Sequence, residues 1–266
     1  MDMVISDRVF ANLSDTFHQV SGIRLSPAKR QMVIGRLQRL AGERGARSLD
    51  EYVTQVIHGG DRAELTKVID RLTTNETYFF REGAHFEFLA KALAERSRGG
   101  SFRVWSAASS SGEEAYSIAM LLADKIGLGG WEIVGTDLST SVLASAQRAL
   151  YPMERAKGMP MNYLKRFCLK GQGPYEGHLL VDKSLRKNVK FMQANLMQEL
   201  PDLGQFDVVF LRNVLIYFDP DAKAQIVNRV LPLIRKGGYL FTGHSESLNQ
   251  IPHGLTHVQP AIYART

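Results

Sequence analysis

The rest of the chain is organised around the stretch Arg103–Tyr116, RVWSAASSSGEEAY. It begins with the β-prone residues Val104 and Trp105, continues through Ala, Ser and Gly, and is predicted to open a helix at Gly112–Glu114. Small residues between a strand and a helix let a ligand approach the backbone, and the free N–H groups of a helix start suit a carboxylate or phosphate. Because the usual glycine triplet is missing, the stretch alone is equally compatible with an ordinary serine-rich turn.

The strand that follows supplies an acid at the spacing of a nucleoside site. Residues 131–135 are predicted to form this strand, which runs into Thr136-Asp137. In a doubly wound sheet, a carboxylate about 20 residues after the small-residue turn holds a ribose diol. Strand, turn, helix, strand and acid together favour a nucleoside-type cofactor, whereas either acid alone would fit a helix cap or a solvated charge.

Strands and helices alternate from residue 85 to the C-terminus. The predicted helices are 86–96, 113–126, 140–150 and 222–234, and the predicted strands are 102–106, 131–135, 189–193, 206–211, 239–243 and 261–264, with a turn at Gly237-Gly238. This alternation predicts a mainly parallel, doubly wound α/β sheet whose ligands bind at the carboxyl ends of the strands. Polar residues follow four of these strands: Glu114, Asp137, Asn195 and Arg212-Asn213.

The first part of the chain, residues 4–72, is predicted to be a small helical domain. Its apolar residues recur at helical spacing, as in Val33 and Leu37, and no strand-like alternation occurs. Residues 24–47 carry seven basic side chains and one acid, a net charge of +6. This segment is either a docking surface for an acidic partner or a solvated helix face. The docking candidates, on one side of the apolar stripe, are Lys29, Arg36 and Arg39.

Two segments interrupt these patterns. Residues 73–82, TTNETYFFRE, join polar groups to an aromatic cluster, and we call residues 73–81 the hinge segment. Residues 151–190 break the strand–helix alternation, and LKGQGPYEG at 169–177 predicts a hairpin-like insert at the edge of the sheet. We call residues 152–188 the insert. Partner contact and tolerated decoration are equally compatible with such an insertion.

Composition limits the class of protein. The chain has 266 residues, 44% of them hydrophobic and 23% charged, as expected of a soluble globular protein. Apolar runs are too short to span a membrane, and the N-terminus has an acid where a signal peptide needs a basic region. The single cysteine, Cys168, excludes an internal disulfide framework and a cysteine-based metal cluster. We therefore expect a cytoplasmic protein.

The motifs TTNETYFFRE, VWSAASSSGEEAYSIAM, GTDLS, ANL and FLRNVLIYF, in this order, resemble those of the chemotaxis receptor glutamate methyltransferases, the CheR family. The resemblance covers nearly the whole chain. It implies a class I methyltransferase-like fold, S-adenosylmethionine (SAM) as methyl donor with S-adenosylhomocysteine as product, and glutamates of chemoreceptor cytoplasmic helices as acceptors. It also implies a receptor-docking domain at 1–72, a linker at 73–81 that contributes to the cofactor site, and a SAM-binding domain at 82–266.

The resemblance assigns roles to individual residues. Those implied to contact the cofactor are Asn75, Thr77, Arg81, Glu114, Asp137, Asn195, Leu196, Arg212 and Asn213. Arg81 and Tyr217 are implied to lie near the transferring methyl, and no metal is implied. The insert resembles a β-subdomain that grips a receptor C-terminal peptide in some members. Lys170 suits that role, but Leu180 and Asp182 stand where peptide-binding relatives tend to place arginine.

Two other functions fit the residues less well. Residues 242–247, TGHSES, resemble the nucleophile elbow of a hydrolase, but Ser247 replaces the last glycine and no Asp follows Ser245. A basic domain that binds RNA would need aromatic side chains for base stacking, and these are sparse in residues 24–47. We therefore expect neither a hydrolase nor a nucleic-acid partner.

Overall fold

The computed structural model describes residues 4–95 and 100–266, which divide into two compact units. The helical unit comprises the residues up to Thr74 together with Tyr217–Ala222, and the sheet unit comprises Asn75–Ile216 and Lys223–Thr266. Throughout these described ranges, no helix has both the length and the apolar character needed to cross a bilayer.

The helical unit is built from amphipathic helices, as predicted. Its described helices are α1 (Asp7–Ser21), α2 (Arg30–Glu43), α3 (Leu49–His58) and α4 (Arg62–Leu72), with a 3-10 turn at Pro27–Lys29 before α2. The expected cap of α3 is confirmed, because the Ser48 hydroxyl accepts the Glu51 N–H at 3.1 Å. The predicted stripe on α2, which includes Val33 and Leu37, is buried.

The sheet unit contains a mainly parallel sheet with helices between its strands. In chain order its elements are α5 (Gly83–Glu95), β1 (Phe102–Ser106), α6 (Glu113–Ile126), β2 (Trp131–Asp137), α7 (Thr140–Arg148), β3 (Leu150–Pro152), α8 (Met161–Phe167), β4 (Cys168–Lys170), β5 (His178–Val181), α9 (Lys183–Arg186), β6 (Val189–Gln193), β7 (Phe206–Leu211), α10 (Pro220–Val230), β8 (Ile234–Thr242), β9 (Thr256–Gln259) and β10 (Ile262–Ala264). The α10 helix starts in the segment that is grouped with the helical unit.

Strand order confirms the doubly wound arrangement. The described strands of the main sheet run β6-β2-β1-β7-β8-β10-β9, and β1 pairs in parallel with both β2 and β7. Strands β8 and β10 pair antiparallel, as do β10 and β9. Chain order reverses at β1, so the carboxyl ends of β1 and β7 border the crevice where such sheets bind ligands.

The predicted insert is a separate three-stranded antiparallel sheet of order β3-β5-β4. The LKGQGPYEG run forms the β4–β5 connection around a 3-10 turn at Gly173–Tyr175. A second 3-10 turn, Met153–Ala156, follows β3. The short helices α8 and α9 lie on either side of the β4–β5 hairpin in sequence.

Several predicted boundaries are wrong. Gly237-Gly238 lies inside β8, where Gly237 has φ 77° and the pairing of β7 with β8 shifts register between Phe206 and Val208. The helix predicted to end at residue 150 ends at Arg148, because Ala149 adopts a left-handed φ of 55°. The helix predicted from residue 86 begins at Gly83, and its predicted end at residue 96 falls outside the described residues. Strand β9 was not predicted.

Candidate functional site

Asp137 links the ends of the first two strands. Its Oδ2 accepts the Ser110 N–H at 2.9 Å and its Oδ1 accepts the Ser139 N–H at 3.0 Å. The residue is 9% exposed. A carboxylate at this position, directly after the second strand of a doubly wound sheet, is of the type that accepts the hydroxyl groups of a ribose diol. This geometry suits the ribose-binding role that the sequence predicted.

The hinge segment lies along the loop after β1. The Ser110 hydroxyl donates to the Asn75 carbonyl at 2.9 Å, and the Phe80 N–H donates to the Ser117 hydroxyl on α6 at 2.9 Å. Asn75, Thr77 and Phe79 are less exposed than the residues between them, as expected of an extended segment with one inward face. Two residues predicted to contact the cofactor therefore share a face with the buried Phe79.

Arg212, which follows β7, is the centre of a buried charge network. Its Nη1 lies 3.0 Å from Glu114, and its Nη2 lies 3.0 Å from Glu82 and donates to the Arg81 carbonyl at 2.5 Å. The Arg212 side chain is only 2% exposed. Its guanidinium thus connects the first turn of α6 to the end of the hinge segment.

Burial and the Arg212 charge set the pKa values of the two carboxylates. Burial raises the pKa of Glu114 above its ordinary value, against the opposing effects of Arg212 and of the hydrogen bond from Ser106. Burial would also raise the pKa of Glu82, but Arg212 and the hydrogen bond from Asn213 outweigh it and lower that pKa. The same guanidinium, that of Arg212, therefore acts to lower the pKa values of both carboxylates.

Glu82, His85 and His244 form a cluster that sequence reasoning missed. Their potential ligand atoms lie within 4.8 Å of one another. Burial, and after it the charge of Arg212, lower the pKa of His85 to about 4, so this imidazole is neutral at pH 7. Because Arg212 lies 3.0 Å from the same Glu82 oxygen that faces both histidines, we assign the cluster to the charge network and not to a metal centre.

Glu246 holds the loop that follows β7. Its carboxylate accepts three backbone N–H groups: Asn213 at 2.7 Å, Gly243 at 2.6 Å and Ile216 at 3.1 Å. Asn213 adopts a left-handed φ of 55°, which costs free energy unless neighbouring contacts impose it. In the sequence, Glu246 stood out only as part of the hydrolase-like run 242–247, and no local signal pointed to this role.

The remaining predicted cofactor contacts occupy separate strand ends. Asn195 follows β6, where its side chain accepts the Met197 N–H at 2.9 Å, and the adjacent Leu196 is buried. Arg81 is half-buried, donates to the Glu76 carbonyl at 3.1 Å, and lies 5.8 Å from the ring centre of Tyr78. Their contacts with a cofactor stay predictions.

Hydrogen bonds connect several predicted site residues. Ser110 joins Asn75 to Asp137, while Arg212 joins Glu114 to the Arg81 backbone. The predicted catalytic Tyr217 ends a 3-10 turn, Leu215–Tyr217, and is grouped with the helical unit. There the Lys29 ammonium lies 5.8 Å from its ring centre.

The three predicted docking residues differ in their surroundings. Lys29 precedes α2 in the 3-10 turn and contacts Tyr217. Arg36 donates to the carbonyls of Leu72 and Thr73, each at 3.0 Å, so it caps the end of α4. Arg39 is exposed and pairs with Glu43 at 2.8 Å. Arg36 therefore has a structural role, and docking stays a prediction for all three.

Two family models account for almost the whole chain. The all-alpha domain of CheR methyltransferases matches residues 8–73, and the SAM-binding domain of CheR methyltransferases matches residues 75–264. The chain belongs to the CheR methyltransferase family. It is a SAM-dependent methyltransferase of chemotaxis, as the motifs predicted.

Curated relatives are similar over about nine tenths of their length. The chain is 38% identical to a chemotaxis protein methyltransferase of Escherichia coli (strain K12), over 98% of this chain and 92% of the relative. It is 37% identical to its Salmonella typhimurium counterpart, over 98% and 91% of the two chains. Chemotaxis protein methyltransferase 2 of Pseudomonas aeruginosa is 37% identical over 96% and 92%.

The residues at the strand ends fit SAM. The Asp137 carboxylate is of the type that binds a ribose diol, and the buried side chain of Leu196 makes the end of β6 apolar. The N-terminus of α6 offers partial positive charge to the carboxylate of the amino-acid part. These groups come from three different strand ends, which matches a ligand that has a sugar, an aromatic base and a charged tail.

Proposed function

We propose that the protein transfers a methyl group from SAM to glutamate side chains in the cytoplasmic region of chemoreceptors, forming methyl esters for sensory adaptation. The observation that carries this proposal is the attachment of the hinge segment to the β1 and β2 ends. The Ser110 hydroxyl donates to the Asn75 carbonyl and the Ser110 N–H donates to the Asp137 carboxylate. These two bonds support a single site that includes the hinge motif and the proposed ribose-binding acid. The membership in a family of chemotaxis methyltransferases supports the choice of acceptor.

The reaction asks the protein for alignment more than for acid–base chemistry. SAM supplies an electrophilic methyl group on a sulfonium that is a good leaving group. A glutamate side chain with a pKa of about 4.3 is already an ionised nucleophile at pH 7, so it needs no general base. Aligning oxygen, methyl and sulfur can contribute up to about 7 to 11 kcal/mol. Excluding water also helps, because it removes solvation from the attacking carboxylate.

Arg81 is the proposed positioning group for a carboxylate. Arg212 donates to the Arg81 carbonyl, and the Arg81 Nη1 donates to the Glu76 carbonyl. These hydrogen bonds fix the Arg81 backbone and one nitrogen of its guanidinium. Its remaining donors are able to hold either the acceptor glutamate or the SAM carboxylate. A tight bidentate grip would weaken the nucleophile, so we propose that Arg81 orients the acceptor without fully neutralising it. Tyr217 is proposed to orient the acceptor by a hydrogen bond.

The insert offers a second proposed receptor contact. Strand β4 lies at the edge of the three-stranded sheet, and Leu169 on that strand is exposed. An extended peptide can add to such an edge by main-chain hydrogen bonds. The Asp182 carboxylate accepts the Ser184 N–H at 2.8 Å and caps the start of α9, so this side chain stabilises the insert itself. Fluorescence anisotropy with a labelled receptor C-terminal peptide tests this contact, and no saturable binding would remove it.

The function is tested by incubating the protein with methyl-labelled SAM and chemoreceptor-bearing membranes. We expect label in the receptor as a base-labile methyl ester. Base-stable label, or label in added RNA and not in receptor, would refute the proposal. Arg81→Ala is expected to reduce methyl transfer more than SAM binding measured by calorimetry. Equal losses would remove its proposed catalytic role.

A further inference from the structure

The insert is joined to the hinge segment by main-chain and side-chain contacts. The Phe79 N–H donates to the Arg155 carbonyl at 3.3 Å. The ring of Tyr151, the residue that precedes the insert, packs edge-on against Phe79 with the ring centres 5.0 Å apart. A Cβ on Gly158 would lie 2.6 Å from the Phe79 carbonyl oxygen, so the two backbones approach as closely as only glycine allows. The insert and the hinge segment are therefore one packed structure.

Arg155, in the 3-10 turn after β3, makes the central contact. Its Nη1 donates to the Thr77 carbonyl at 2.5 Å and lies 3.3 Å from the Glu113 carboxylate. The same residue thus holds the hinge segment at Thr77 through its side chain and at Phe79 through its backbone. Its side chain is 39% exposed, which means that it can be replaced without opening the core.

Glu113 fixes the position of the guanidinium. Its side chain is 1% exposed in the first turn of α6, and burial raises its pKa, while the Ser111 hydroxyl and Arg155 act in the opposite direction. Ser111 donates to it at 2.6 Å. A buried carboxylate needs such partners, so it holds Arg155 in place beside the hinge segment.

The other side of the hinge segment is held by α6. Ser117 accepts the Phe80 N–H at 2.9 Å and donates to the Glu113 carbonyl at 2.6 Å. Asn75 and Thr77, the predicted cofactor contacts, lie between these fixed points and the loop after β1. Their position therefore depends on Arg155 as well as on the methyltransferase core.

We propose that Arg155 is a positioning residue for SAM binding, through which the insert forms part of the cofactor site. This inference rests on the proposed placement of SAM against the hinge segment. It does not depend on which acceptor is methylated. Loss of Arg155 frees the Thr77 carbonyl and removes the cation beside Glu113, so the hinge segment samples positions in which SAM binds weakly.

The test compares Arg155→Ala and Arg155→Lys with the control Arg166→Ala. Arg166 lies in the same insert, is exposed, and pairs with Asp124 at 2.7 Å. Within the described residues it forms no hydrogen bond or ion pair with the hinge segment. Calorimetry with SAM is run at a temperature where all variants are folded by circular dichroism. From the loss of one charge-assisted hydrogen bond, we expect Arg155→Ala to weaken SAM binding about tenfold or more. Arg155→Lys should recover part of the affinity, and Arg166→Ala should resemble the wild type.

Methyl transfer at saturating SAM separates positioning from a general structural role. We expect the KM for SAM to rise in Arg155→Ala while kcat stays close to that of the wild type. Unchanged SAM affinity, or equal losses in Arg155→Ala and Arg166→Ala, would overturn the inference. SAM binding is measured without an acceptor, so the binding result does not depend on which group is methylated. A failure of the wild type to methylate receptor glutamates would therefore refute only the proposed function.

Discussion

Replacing Arg212 by methionine should destabilise the protein in a way that depends on pH. The substitution keeps an unbranched side chain in contact range of Phe86 and Phe210, whose ring centres lie 6.0 and 5.8 Å from the guanidinium carbon. It removes the positive charge from Glu82 and Glu114, each 3.0 Å from a guanidinium nitrogen. The perturbation is therefore mainly electrostatic, with little change in packing.

The magnitude follows from the burial of the network. Removing one partner of a buried ion pair costs about 3 to 5 kcal/mol, because the other partner stays buried without compensation. The side chains of Glu82 and Glu114 keep 13% and 14% exposure, so water can reach both, and we expect the total loss at pH 7 to stay in that range. At about 2 to 4 °C per kcal/mol, Tm falls by roughly 6 to 20 °C.

The pH dependence has a definite sign. Without Arg212, the pKa of Glu114 rises further and that of Glu82 is no longer held low. A carboxyl whose pKa is higher in the folded state contributes stability below its unfolded pKa of about 4.3 and loses it as pH rises through the folded value. The loss in free energy of unfolding caused by the substitution should therefore be smaller at pH 5 than at pH 7. If one of the two carboxylates is protonated in the folded variant over one pH unit of this range, the difference is at least about 1 kcal/mol.

Urea denaturation from pH 5 to pH 8 measures this deficit. The matched control is Arg235→Met, since Arg235 pairs with Asp207 at 2.7 Å but its side chain is 38% exposed. Such a pair contributes about 0 to 1 kcal/mol, with little pH dependence expected here. An Arg212→Met deficit that equals the control, stays constant with pH or grows toward pH 5 would refute the reasoning.

Three further substitutions test other parts of the structure. Asp137→Asn should weaken SAM binding about tenfold or more in calorimetry, since it removes the charge from the proposed hydrogen bonds to the ribose; unchanged affinity would exclude this ribose contact. Glu246→Gln should cost about 1.5 to 3 kcal/mol in urea denaturation, because an amide cannot accept all three N–H groups; Gln with full stability would show that the carboxylate charge is not needed there. Ser48→Ala should cost about 1 kcal/mol by loss of the α3 cap while leaving SAM affinity unchanged; a loss of SAM affinity would contradict an effect confined to the cap.

Sequence alone determined the architecture and the chemical class. Hydrophobic periodicity predicted the strands 102–106, 189–193 and 206–211 at their observed bounds, because alternation and apolar runs are local properties. The motif order identified the family, and with it the cofactor. The polar residues at strand ends were predicted as a set because parallel strands bring their carboxyl ends to one edge.

The residues that hold that set in place are brought together only when the chain folds. Glu246 lies 33 residues from Asn213 and Arg155 lies 78 residues from Thr77, so no local pattern connects either pair. Arg212 was predicted as a cofactor contact, and its ion pairs with Glu82 and Glu114 emerge only once three separate segments have packed together. Burial and long-range partners depend on the assembled chain, whereas element type and strand-end chemistry are determined by neighbouring residues.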